Sequence, residues 1–263
     1  EVANHDPITS LQGFLARLLT ETDIGALLVP QHLPLRHSVM PTLVSDPDKL
    51  GGADPLAPAF PLNAAKIVSR LTRKPSGTRI AAVLRPCEMR AFVELVKLKQ
   101  GTMDELLTIG VDCPGAYSNL NYARYAGGTD GDATLQFHRN IRDGKGTGWQ
   151  DVDLASACQA CEYPVPDNTD LTIGLIGVDF LDKEILIIAN TPEGEALLDV
   201  LQLPAAAEPD RRKEAIAALV AGRKAHRDQM LQATAEDTDD LDKLMTYLAN
   251  CVEQTFRKWS RSR

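Results

Sequence analysis

Hydrophobic positions along the chain fall into two periods. In "ITSLQGFLARLLTE" (residues 8–21), Leu11, Phe14, Leu15, Leu18 and Leu19 recur at three- and four-residue spacing, which predicts one apolar helical stripe with Ser10 as its N-cap. "IGALLVP" and "HSVMPTLV" follow as short apolar runs of strand length. "SDPDKLGGADPLAPAFP" is crowded with Gly, Pro and Asp and predicts a loop with several turns. A helix is predicted over 62–73, a strand at "RIAAVL", a helix from about Glu88 to Gln100, and another strand at "LLTIGV", ending in "DCPG". The Gly- and Asp-rich segment 126–148 predicts a surface excursion. Two more strands, "LTIGLIGV" and "EILIIAN", precede helices at about 193–202, 209–233 and 238–258.

Short apolar strands alternating with helices predict an α/β fold: a mainly parallel sheet flanked by helices, with a C-terminal helical segment. The division that follows is a core over 1–203 and a helical extension over 204–263. In such sheets the chemistry gathers beyond the carboxyl ends of the strands. Cys87 stands just past "AAVL" and Cys113 just past "TIGV", so both are expected at that edge.

Composition narrows the function classes. Hydrophobic residues make up 44% and charged residues 24% of the chain, enough for a packed soluble core. A net charge of −8 argues against a nucleic-acid partner. No apolar run approaches the roughly 20 residues of a membrane span, and "EVANHDPITS" lacks the progression of a signal peptide. The expected location is the cytoplasm, and the five cysteines are expected reduced, since they are too sparse for a disulfide scaffold.

In "AVLRPCEMRAF", Cys87 is expected at a helix N-terminus, where free N–H groups, the helix dipole, Arg85 and Arg90 favour a thiolate. A packing cysteine, a nucleophile and a ligand all fit that stretch taken alone. Cys158 and Cys161 form a CxxC, "CQAC", followed by "EYPVPD" and a strand rather than by the helix of a thioredoxin-like site, which favours ligation over disulfide exchange. With Cys87 and Cys113 they make a four-thiolate set suited to either zinc or an iron–sulfur cluster.

The stretches "AAVLRPCEMRAFVELVKLKQ", "IGVDCPGAY" and "ACQACEYPVPDNTDLTIGLIGVD", with "VSDPDKLGGADPLAPAFPLNAAKIVSRL", resemble the beta subunit of the coenzyme F420 hydrogenase/dehydrogenase family, which includes formate dehydrogenase-associated beta subunits. The similarity runs from about residue 8 to 203. The resemblance implies an oxidoreductase with FAD and a [4Fe–4S] cluster, passing electrons between a hydride carrier and iron–sulfur carriers. Carried over, it makes Cys87, Cys113, Cys158 and Cys161 the cluster ligands. It also implies a hydride carrier such as coenzyme F420 or NAD(P)H, and partner subunits of hydrogenase, formate dehydrogenase or heterodisulfide reductase type.

Flavin contacts are expected among Asn63 and Lys66 at one helix start, Thr191 and Gly194 at another, and Arg85, Glu88 and Arg90 beside the first cysteine. Ordinary capping is the competing reading of the two helix starts. The Gly-rich "GKGTGW" has no strand leading into it and reads as a loop. Where many relatives continue into closely spaced cysteines, "ANCVEQTFRKWSRSR" supplies Cys251, which helical spacing with Leu244 and Leu248 reads as a packing residue. Two further classes stand beside the redox reading: a zinc-stabilised interaction module, and a cysteine enzyme using Cys87 alone.

Overall fold

A computed structural model describes residues 2, 6–34, 38–75, 77–148, 151–179 and 183–237, the last five of these by their backbone alone. Its centre is a six-stranded sheet. The strands are β1 (Ile24–His32), β2 (Val39–Val44), β4 (Arg79–Leu84), β5 (Leu106–Val111), β7 (Leu171–Gly174) and β8 (Leu186–Ala189), and their order across the sheet is β2-β1-β4-β5-β7-β8. The inner four run parallel, whereas β2 and β8 close the two sides antiparallel. Two-residue strands β3 (Ala59–Phe60) and β6 (Tyr117–Ser118) pair separately. The mainly parallel α/β sheet expected from the sequence is therefore present.

The apolar runs are continuous because both faces of the sheet are covered. Successive side chains point to opposite faces. Ala81 and Val83 of β4 accordingly pack with Leu11, Leu15 and Leu18 of α1 (Pro7–Glu21) and with Leu197 and Leu201 at the end of α7 (Pro192–Val200). Ile80, Ala82 and Leu84 face the other way, onto Ala65 and Val68 of α2 (Ala65–Leu71) and Met89 and Phe92 of α3 (Pro86–Lys97). Leu84 is paired with Gly110, so β4 and β5 end nearly level and their next residues emerge at one edge.

Two expectations are corrected. Asp6, not Ser10, caps α1, because its carboxylate accepts from the amides of Ile8 and Thr9 at 3.0 and 3.1 Å. Residues 126–148 are no loose excursion: after α4 (Asn119–Gly127) they form α5 (Ala133–Arg142). The Tyr117 and Tyr125 rings stack 4.9 Å apart, and Phe137 meets Tyr117 edge-on. The Thr134 hydroxyl donates to the fully buried Asp54 carboxylate at 2.6 Å, and His138 donates to the Leu56 carbonyl at 3.0 Å. These contacts fix α5 over the segment that the sequence reads as turns, where Pro47–Gly52 is a 3-10 turn.

The short α6 (Ser156–Gln159) carries Cys158, the first cysteine of the CxxC, and α8 (Arg211–Asp237) is the long C-terminal helix. The helix expected at 238–258, with Cys251, lies outside the described residues. Among the described residues, no helix is long and apolar enough to cross a membrane.

Candidate metal centre

Cys87 is the second residue of α3. Arg85 is the N-cap and Pro86 fills the first helical position, where a missing amide hydrogen costs nothing. Glu88 is buried and fastens this turn with both oxygens, accepting from the Arg85 amide at 2.9 Å and from the Ala64 amide at the start of α2 at 2.9 Å. The buried Arg85 guanidinium donates to the Ala57 carbonyl at 2.7 Å and lies 5.9 Å from the centre of the Phe60 ring.

Cys113 follows β5. Its amide donates to the Pro164 carbonyl at 2.7 Å, which ties the Cys113 loop to the segment after the CxxC. That segment lies flat across β5. A Cβ on Gly110 would come within 2.5 Å of the Pro166 ring. Gly115 has a φ of +122° and sits against Leu154, and its amide donates to the Cys113 sulfur. Cys158 lies in α6, and the Cys161 amide donates to the Cys158 carbonyl at 3.4 Å.

All four sulfur-bearing residues line one cavity of about 200 Å³, together with Phe60, Asn63, Arg85, Tyr163 and Arg223. Burial holds the Cys113 thiol well above its ordinary pKa, with Cys158 adding to the rise. Arg85, the Gly115 amide and Arg223 pull the other way. Cys87 reaches the surface at the cavity mouth, yet the protein packed round its thiol pushes it up to about 12, with Glu88, Cys113 and Cys158 contributing and Arg85 opposing. A thiol so protonated at neutral pH is a poor nucleophile. A metal centre reverses the situation, because it displaces the thiol protons and balances the thiolate charge.

Among the described residues, no three His, Cys, Asp or Glu side chains form a group that could hold a single metal ion. A tetrahedral zinc would need sulfurs about 3.8 Å apart. A cubane cluster takes each thiolate on a different iron and so spreads its ligands more widely. Four cysteines round a shared cavity, with buried Arg85 and Arg223 to offset negative charge, are a donor set that fits an iron–sulfur cluster.

The other residues singled out in the sequence separate. Asn63 lines the cysteine cavity, and its side-chain oxygen accepts from the Ala65 amide at 3.0 Å. Lys66 is exposed over a different depression, beside Ser69, Arg70 and Arg73. Arg90 is exposed, and its guanidinium stacks 3.9 Å from the centre of the Tyr163 ring. Thr191 and Gly194 are not brought to the cysteines. β8 runs against the parallel strands, so its carboxyl end is level with Leu171 at the start of β7. There the Thr191 hydroxyl donates to Asp170 at 3.0 Å and accepts from the Gly194 amide at 3.1 Å, and Glu193 pairs with Arg79 at the first residue of β4. That is the opposite edge of the sheet.

Three contributors escaped the sequence reading: Arg223, the Asp112–Arg212 pair and Tyr163. Arg223 donates to the carbonyls of Cys161 at 3.1 Å and Cys113 at 3.5 Å. Arg212 forks onto Asp112, the residue before Cys113, and donates to Glu208 at 2.8 Å. Both arginines come from α8, which thus belongs to the site. The aspartate beside Cys113 was visible in the sequence; nothing local named its partner.

No protein-family model matches the sequence. The fold, however, has a solved counterpart. The chain superposes on a chain of the F420-reducing [NiFe] hydrogenase complex from Methanosarcina barkeri with a TM-score of 0.54, covering 83% of this chain and 84% of that one, at 12% sequence identity. At that identity the likeness is one of fold.

Proposed function

We propose that this chain is an iron–sulfur flavoprotein subunit, an electron-transfer oxidoreductase acting in the cytoplasm, in which Cys87, Cys113, Cys158 and Cys161 hold a [4Fe–4S] cluster beside FAD. The observation that carries the reading is the single cavity of about 200 Å³ shared by the four cysteines and flanked by two buried arginines. The fold shared with a chain of an F420-reducing hydrogenase complex supports the redox setting. Bound together, the two groups supply conversion between a two-electron hydride and single electrons.

The chain's own residues do the holding. The start of α3 presents Cys87 with Glu88 locking its turn, the Gly115 amide reaches the Cys113 sulfur, and the segment laid across β5 fixes the CxxC beside them. Near the cavity, Asn63 and Arg90 are the polar side chains best placed for a flavin, because Glu88 is committed to two backbone amides. The hydride carrier is proposed to be coenzyme F420 or NAD(P)H, and the partners redox subunits of hydrogenase, formate dehydrogenase or heterodisulfide reductase type.

The test is to purify the chain without oxygen, record its visible spectrum, and quantify iron, sulfide, zinc and flavin. Four irons, four sulfides and one FAD per chain are expected. A colourless protein with one zinc would overturn the proposal in favour of a structural module.

A further inference from the structure

Resting on the cluster reading, we infer that Arg223 is the positioning residue that closes the centre. Its guanidinium fastens the two ligand-bearing loops together by their backbones and places a permanent positive charge beside the sulfurs. Arg212 and Arg223 are eleven residues apart on α8, close to three helical turns, so they share the face turned to the carboxyl edge of the sheet. The arginine at the start of that face locks Asp112, one residue before Cys113. Arg223, three turns on, is 7% exposed and spans the Cys161 and Cys113 carbonyls. Lys224 and Arg227 then grip Glu162, the residue after Cys161, the lysine at 3.3 Å.

Arg223 is unlike an ordinary surface arginine in one respect. Among the described residues its hydrogen bonds go to main-chain oxygens, and no carboxylate there neutralises its charge. The charge is left to face the cavity that the four cysteines line. Arg85 stands in the same cavity lining but is anchored elsewhere, to the Ala57 carbonyl. Hydrogen bonding and net charge around a cluster set its reduction potential, and residues that orient ligands govern how firmly a metal is kept.

The experiment compares the parent chain with Arg223→Gln and Arg223→Lys, purified whole and without oxygen. Spectroelectrochemical titration gives the cluster potential, and loss of iron to a chelator gives its retention. Arg223→Gln is expected to lower the potential and release iron about tenfold faster or more. Arg223→Lys keeps the charge but not the planar fork, so the potential should stay near the parent value while iron loss remains fast. A merely structural role would not separate the two readouts.

On metal-free chain, deuterium labelling of the backbone amides around Cys113 and Cys161, followed by mass spectrometry, is expected to run several-fold faster in Arg223→Gln. Unchanged potential, iron loss and labelling would overturn the inference. A parent chain free of iron would sink the cluster reading instead, and the labelling would then decide Arg223 by itself.

Discussion

The buried pair Asp112–Arg212 gives the sharpest prediction about the frame of the site. Arg212 is 1% exposed and Asp112 2%, and the carboxylate also accepts the amides of Leu175 and Ile176 at 2.8 and 3.0 Å. Arg212→Met keeps the bulk and removes the charge, leaving Asp112 buried with two amide donors but no cation. Removing one partner of a buried pair costs about 3–5 kcal/mol. Unfolding entropy near the melting temperature is about 2.1 cal/mol/K per residue. Over the 263 residues of the chain this is about 0.55 kcal/mol/K, so Tm should fall by about 5–9 °C. Differential scanning calorimetry on metal-free chain measures the drop without interference from cofactor loss. In an Asp112→Asn background, where an amide replaces the carboxylate, the same Arg212→Met change should cost less than half as much. A drop under about 1 °C, or an equal drop in both backgrounds, would refute the reasoning.

Glu88→Ala leaves the Arg85 and Ala64 amides without their acceptor. Denaturant unfolding should show a loss of about 2–6 kcal/mol, partly restored by Glu88→Gln. Gly110→Val drives a side chain into the Pro166 ring, so the segment after the CxxC must lift; limited proteolysis is expected to cut near residue 166 in the variant and not in the parent. Burial holds His138 below its ordinary value of 6.5, so its contribution is complete above that pH and is lost as pH falls toward the lowered value. His32 is raised by its bond to Asp54, so its contribution is present in acid and disappears as pH rises through the raised value. Stability measured between about pH 7 and pH 5 should therefore fall less steeply in His138→Gln and more steeply in His32→Gln.

The strands were legible because burial on both faces leaves runs such as "IAAVL" and "LLTIGV" almost wholly apolar, Thr108 being the exception. Their parallel pairing brings Cys87 and Cys113 to one edge, as alternation with helices implied. The direction of β8 was not legible, since a short apolar strand reads alike in either orientation, and that direction sends Thr191 and Gly194 to the far edge. Glycines and aspartates masked α5, although Phe137, His138 and Ile141 stand at helical spacing there, and the holding contacts come from Asp54 and Leu56, some 80 residues earlier. Arg223 was hidden for a related reason. Its targets are main-chain oxygens 62 and 110 residues away, and a carbonyl carries no sequence signature.

The order of these residues along the chain has a consequence for biosynthesis. The last cysteine of the cavity is Cys161, but the cation that balances Asp112 is residue 212 and the clamp on the two loops is residue 223. A chain still emerging from the ribosome therefore holds every thiol of the cavity before it holds either arginine. On the proposed reading, a metal donor would meet the cysteine loops before α8 closes over them.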